Sequence, residues 1–253
     1  MKTVAIMNQK GGSGKTTTAV NLAAALGEQK KRVLVVDLDP QANATTWLGV
    51  HPENKGILHV FVGEKTLDEL VEETVAPGVD IIPSSSWLVG VEKAVAGEVG
   101  AETILRRAIG KLNARWDFVF MDCPPSLGML SISALAACER LLVPVSAEVL
   151  SLSGVAQLLK TVEAVKERLN SDLTIAGFLV CRVDVRTRHG LDVDAQLRDR
   201  FGDEVYKTIV RENVRLTECP SFGQPITQYQ SGSAGAEDYR GLAKEWLKRE
   251  KRG

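Results

Sequence analysis

The sequence predicts an α/β fold, a doubly wound, mostly parallel sheet flanked by helices, and three observations carry that expectation. Short runs apolar on both faces, V-L-V-V-D (Val33 to Asp37) and D-F-V-F-M-D (Asp117 to Asp122), have the make-up of central strands covered by helices on both sides. Helical patterns alternate with them, as from Glu102 to Asn113, where Ile104, Leu105, Ala108, Ile109 and Leu112 share one stripe. A glycine-rich turn, K-G-G-S-G-K-T-T-T (Lys10 to Thr18), joins the strand-like V-A-I-M-N to the helical T-T-A-V-N-L-A-A-A-L, and the strand ends of such sheets are where ligands bind.

In chain order, strands are expected at Val4–Asn8, Val33–Asp37, Val79–Pro83, Asp117–Asp122, Arg140–Pro144, Thr174–Val180 and Val205–Ile209. Helices are expected at Thr17–Leu26, Glu102–Asn113, Ser153–Leu169 and Leu191–Phe201. The segment from Thr217 to Ala236, with C-P-S-F-G-Q-P and S-G-S-A-G, reads as an ordered surface loop. A last helix follows, with Tyr239, Leu242, Ala243, Trp246 and Leu247 on one face. The final fourteen residues hold six basic and two acidic side chains, which fits either a helix lying on a membrane surface or a docked helix with a solvated basic face. The width of its apolar stripe favours docking.

At 253 residues and 44% hydrophobic content the chain can bury a sizeable core, and one domain spanning 1–253 is expected. It has no apolar run of the ~18 residues a membrane span requires, and a strand begins almost at Met1, which argues against a signal peptide. A cytoplasmic location follows. The four cysteines and three histidines are scattered without C-x-x-C spacing, so no metal or cluster site is expected from them. With a net charge of −1, nucleic-acid binding would have to come from a local patch.

The glycine-rich turn matches the end of the phosphate-binding pattern G-x-x-x-x-G-K-[ST] at Gly14, Lys15 and Thr16, but Gln9 stands where the leading glycine belongs and Lys10 is an additional cation. Gly11, Gly12 and Gly14 have the freedom to turn successive N–H groups inward, and the start of the following helix, through Ser13, Thr16 and Thr17, adds its dipole. Lys15 is expected to reach the β- and γ-phosphates and Thr16 to bind Mg²⁺. In D-L-D-P-Q-A-N-A-T, Asp37 ends the second strand and Asp39 follows in the loop before Pro40. Asp37 is placed to hold the Mg²⁺ shell through water, and Asp39 to orient or deprotonate an attacking water. Asp122 has the form of a second carboxylate for Mg²⁺.

Those three segments, K-G-G-S-G-K-T-T-T, D-L-D-P-Q-A-N-A-T and M-D-C-P-P-S, resemble the nucleotide motifs of the ParA/MinD family of deviant Walker A ATPases, a P-loop NTPase fold. E-N-V-R-L-T-E-C-P-S-F-G-Q-P-I and G-A-E-D-Y-R-G-L-A-K-E resemble its ParA/Soj branch, and the likeness runs nearly end to end. It implies slow ATP hydrolysis with ATP and Mg²⁺ as cofactors, an ATP-bound homodimer and a catalytic role in trans for Lys10 across the dimer interface. It also implies non-specific double-stranded DNA as a partner, a nucleoid-associated location, stimulation by a ParB-type activator protein, and a task in plasmid or chromosome segregation or the positioning of other large cargo. The sequence starts at the first strand, so no N-terminal helix-turn-helix extension of the kind in larger plasmid relatives is expected. The resemblance matches DNA-touching arginines to Arg186 and Arg215, and charge alone adds Arg188. Composition gives that surface no support, since Arg182 to Arg215 holds eight basic and seven acidic residues. Two rivals remain at this stage: a MinD-like membrane-cycling ATPase, for which no stable membrane association is the opposing expectation, and a cluster-holding metabolic relative, against which the absence of C-x-x-C argues.

Overall fold

The computed structural model describes residues 1–51, 54–147 and 151–251, with the side chains of 151–153 and 188–191 outside that description. Its strands are β1 (Lys2–Ile6), β2 (Val33–Asp37), β3 (Glu72–Glu73), β4 (Val79–Ile82), β5 (Phe118–Asp122), β6 (Arg140–Ser146), β7 (Thr174–Val183) and β8 (Val210–Arg211). They form one sheet in the order β3-β4-β2-β5-β1-β6-β7-β8, parallel throughout except for β3. That edge strand is two glutamates, whose charge discourages further pairing.

The helices are α1 (Lys15–Glu28), α2 (Asn43–Trp47), α3 (Leu58–Phe61), α4 (Val91–Ala94), α5 (Ile104–Ile109), α6 (Met129–Ala137), α7 (Ser151–Arg168), α8 (Arg188–Phe201), α9 (Val214–Glu218), α10 (Ile226–Tyr229) and α11 (Ala234–Glu250). Alternation along the strands splits the core in two. Ala5, Val119 and Met121 face the layer that contains α5 to α8, while Val4, Ile6, Phe118 and Phe120 face α1 and α11. The alanines of α1 let it lie close to the sheet, with α11 packed against it.

The last helix is docked. Trp246 is 1% exposed, edge-on to Phe118 and Phe120 at 6.1 and 5.8 Å between centroids and stacked on Tyr206 at 6.2 Å. Leu247 is half-buried against the same cluster. Arg140 anchors the far end through Glu250 at 2.6 Å.

Two expectations need correction. The strand expected at Val205–Ile209 is displaced to Val210–Arg211, and only Val205 bridges Phe178 before it. The intervening N–H groups are taken elsewhere, because Lys207 and Thr208 both donate to the Glu245 carboxylate on α11 at 2.8 and 2.9 Å. The segment from Thr217 to Ala236 is a chain of short helical turns, with Cys219, Ile226 and Thr227 buried, rather than a surface loop. Its anchor is Asn21, whose side-chain oxygen accepts from the Ile226 N–H at 2.7 Å.

Candidate functional site

Three adjacent parallel strands deliver the site. β1 lies between β5 and β6, and in register Ile6 pairs with Asp122 and Asp37 with Asp122, so the phosphate loop and two carboxylates emerge side by side at the carboxyl ends. This is the place where a doubly wound sheet binds ligands.

The loop is held from below. Asn8, buried, donates to the Pro144 carbonyl at 2.7 Å and accepts from the Lys10 N–H at 3.1 Å. Gly12 and Gly14 take φ angles of +73° and +94°, conformations that glycine adopts without steric penalty. Gly11 does not, so its freedom is not used as the sequence suggested. Gly14 caps α1 with no side-chain bond, and the first bond into the loop is Thr18 N–H to Gly14 O at 2.8 Å. The N–H groups of Lys15, Thr16 and Thr17 therefore open toward the cleft, a ready anion site. Ser13 is fully buried with no partner for its hydroxyl.

Lys15 is 6% exposed, and its ammonium donates to the Lys10 carbonyl at 3.3 Å. Burial lowers its pKa, while Asp122, Cys123 and Asp39 favour the charged form. Lys10 itself is half-buried at the loop's outer turn.

The carboxylates divide sharply by their partners. Asp37 is fully buried and saturated, with one oxygen accepting from the Asp39 N–H at 3.0 Å and the other from the Thr45 N–H and hydroxyl at 2.9 and 2.7 Å. Burial pushes its carboxyl up to about 6 against those bonds. It therefore shapes the D-L-D-P turn and does not line the cleft. Asp39 accepts from the Gln41 N–H at 3.0 Å, and its carbonyl accepts from the Ser84 hydroxyl at 2.7 Å, so its carboxylate is held at the cleft wall. Asp122 is the opposite of Asp37: both oxygens are buried and neither has a hydrogen-bond partner. Burial and then the neighbouring Asp37 drive its pKa well up, and the Thr16 hydroxyl and Lys15 pull it down. An orphaned carboxylate beside a threonine hydroxyl fits a hydrated magnesium ion shared with phosphates, which takes only one or two carboxylates from protein. Among the described residues no three His, Cys, Asp or Glu side chains converge as in an all-protein metal cage.

Lys15, Thr16, Thr17 and Asp39 line a cleft of about 870 Å³ that runs from the loop past Arg182 to Val210–Asn213, Leu216 and Pro220, while the buried Asp37 and Asp122 are not part of its lining. A family model described as an AAA domain matches residues 1–175. The chromosome-partitioning ATPase Soj of Thermus thermophilus is 47% identical over 249 residues, covering 98% of this chain and 96% of that protein. The chain belongs to the Soj/ParA family of chromosome-partitioning ATPases. Among solved structures, the cobyrinic acid a,c-diamide synthase of Mycobacterium smegmatis with bound ADP and magnesium shares 34% identity and a TM-score of 0.86, over 99% of this chain and 96% of that one. The cell division ATPase MinD of Pyrococcus furiosus shares 27% identity and a TM-score of 0.82, over 98% of each.

In this Soj/ParA chain the arginines matched to DNA contact, Arg186 and Arg215, are not among the residues that line the cleft, although Arg215 stands between Asn213 and Leu216, which do. The Arg186 side chain is 85% exposed and forks onto Asp184 at 2.9 and 3.0 Å; Arg215 pairs with Glu218 at 2.7 Å. Arg188 opens α8, and its side chain lies outside the described residues. Sequence reasoning missed Asn8, which has no motif position, and Thr45, which stood inside the quoted motif without a role. It also missed Tyr239, whose hydroxyl lies 3.4 Å from that of Thr18 under the loop, and Arg182.

Proposed function

We propose that this chain is a single-domain partition ATPase, in which ATP links two copies into a dimer that binds DNA without sequence preference and releases it on hydrolysis. The observation that carries the nucleotide half is the orphaned Asp122 carboxylate beside the open N–H groups of the loop and the buried Lys15. Lys15 and the N–H groups from Gly11 to Thr17 hold the β- and γ-phosphates. Thr16 and Asp122 would hold magnesium, and Asp37 would support its water shell from the adjacent strand. When bound, magnesium neutralises charge on the phosphates. Asp39, fixed by the Gln41 N–H and Ser84, positions the attacking water. Lys10, on the loop's outer turn, reaches the partner's nucleotide and stabilises charge on the transferred group as an arginine finger does. Occupancy by ATP then controls association.

DNA contact falls to Arg186, Arg188 and Arg215, doubled by dimerisation, and a ParB-type activator stimulates turnover; the protein is then cytoplasmic and nucleoid-associated. The Arg186 and Arg215 side chains are exposed and their carboxylate partners half-buried, and ion pairs at the surface are weak enough to yield to a competing phosphate. The buried Trp246 supports this over a membrane-cycling reading, since the helix that would face lipid spends its apolar stripe on the core. No helix among the described residues is long and apolar enough to cross a membrane.

The test is binding of random duplexes by the ATP-bound Asp39→Ala dimer. Equal affinity across sequences, falling steeply with salt, is expected, and Arg186→Glu and Arg215→Glu should weaken binding and flatten the salt slope while sparing dimerisation. A dimer that ignores DNA and sediments with anionic liposomes would replace this reading with the membrane one.

A further inference from the structure

The turn that carries Asp39 is strained, and it is held from outside. Ala42 takes φ +52°, a left-handed conformation that a residue with a Cβ adopts at a cost and keeps only where its surroundings impose it. Within the turn, the Asp39 carbonyl accepts from the Ala42 N–H at 2.9 Å. The outside hold is Ser84, which follows β4 after Pro83 and is fully buried. Its hydroxyl donates to the same Asp39 carbonyl at 2.7 Å, and its N–H donates to the Thr45 hydroxyl at 3.0 Å. That hydroxyl in turn donates to the Asp37 carboxylate at 2.7 Å. Ser84 is itself anchored apart from the turn. β4 pairs with β2 up to Val36↔Ile82, and the Pro83 carbonyl accepts from the Ile57 N–H at 2.9 Å.

We propose that Ser84 is a positioning residue for hydrolysis: it ties the Asp39 turn to the anchored end of β4 and, through Thr45, to Asp37, so that the Asp39 carboxylate keeps one orientation toward the attacking water. It rests on reading Asp39 as the carboxylate that positions that water. The geometry separates this role from scaffolding. Without the Ser84 hydroxyl, the Asp39 carbonyl still has the Ala42 N–H and the Ser84 N–H still has Thr45, so no buried polar group is orphaned and the fold has little to lose. Ser84 does not line the cleft, so the nucleotide's own contacts stay in place. What goes is the tie, and a carboxylate that drifts out of line with its water forfeits rate rather than affinity.

Ser84→Ala, Thr45→Val, Thr45→Ser and Asp39→Ala test it, by phosphate release at saturating Mg²⁺-ATP, affinity for a fluorescent non-hydrolysable ATP, and thermal unfolding without nucleotide. Ser84→Ala should release phosphate about fivefold to tenfold more slowly, the span of one neutral hydrogen bond carried into a barrier. Its nucleotide affinity and unfolding temperature should stay parental. Thr45→Ser keeps the hydroxyl and should turn over as the parent does, while Thr45→Val leaves the Ser84 N–H without its acceptor and should slow release at least as much as Ser84→Ala. Parental phosphate release in Ser84→Ala beside an inert Asp39→Ala overturns the proposal alone. So does a slowing in Ser84→Ala matched by a fall in affinity or unfolding temperature, which would mark Ser84 as scaffold. Slowing in Thr45→Ser to the level of Thr45→Val also overturns it, since the hydroxyl would then not be the link. A parent that releases no phosphate, or an Asp39→Ala that releases it at the parental rate, would sink the reading of the site and this proposal with it.

Discussion

Asp122→Asn should make the empty protein more stable and the loaded protein less responsive to its ligand. The carboxylate is buried with two unpartnered oxygens and stands beside Asp37, its register neighbour. An unsatisfied buried polar group costs about 1–3 kcal/mol, and an amide removes the charge and can donate to the Asp37 carboxylate. At about 2–4 °C per kcal/mol for a chain of this size, a gain near 2 kcal/mol raises the apo unfolding temperature by about 4–8 °C. The gain should depend on pH. Because the folded-state pKa of Asp122 lies above its unfolded value, the parent keeps full stability below about pH 4 and loses it as pH rises. The variant is spared that loss, so its advantage is small near pH 4 and grows toward neutrality. Ligand should act the other way. Saturation to a hundredfold above Kd stabilises the parent by about 2.7 kcal/mol, and a tenfold weaker Mg²⁺-ATP complex gives up about 1.4 kcal/mol of that. Scanning calorimetry with EDTA, with ATP and EDTA, and with Mg²⁺-ATP reads all three states. A lower apo unfolding temperature together with an undiminished Mg²⁺-ATP shift would refute the idea that this orphaned carboxylate is kept for the metal.

Lys10→Ala should bind ATP nearly as the parent does but neither dimerise nor turn over, as read by light scattering and phosphate release; normal ATP-dependent dimers would remove its role in trans. Lys15→Ala should abolish nucleotide binding in equilibrium dialysis, because the loop loses its buried in-cis cation. Trp246→Ala should cost about 4 kcal/mol, about 10 °C of unfolding temperature, since an indole packed against three rings leaves a cavity; an unchanged melt would mean that α11 is not fixed to the core.

What was legible in the sequence was what is contiguous. The phosphate loop, its flanking strand and helix, and the aspartates at and after the strand ends each fit in a short window, and Asp122 and Asp39 stand near enough to Lys15 to favour its charged form. α6 was not foreseen, because M-L-S-I-S-A-L-A-A is apolar nearly all round and carries no period to read. The displacement of β8 depends on Glu245, far downstream, taking the N–H groups of Lys207 and Thr208. Arg182 looks like a strand residue until a one-residue bulge turns it outward. Asp37 and Asp122 read alike as strand-end acids, and only their surroundings separate them: two N–H donors and a hydroxyl bonded to one, and for the other only the neighbouring Thr16 hydroxyl and Lys15 ammonium without a formed hydrogen bond.

The packing of α11 on α1 has a consequence for how the protein is made. The loop residues assigned to the phosphates leave the ribosome early, yet the loop's helix is completed by distant chain: Thr18 meets Tyr239, and Asn21, which holds the Thr17 carbonyl at 2.8 Å, also holds Ile226. β1 likewise waits for β5 and β6 to border it. A nascent chain therefore carries the nucleotide motifs without a nucleotide site for most of its synthesis, and products cut short before α11 should not compete for ATP or for places in the dimer.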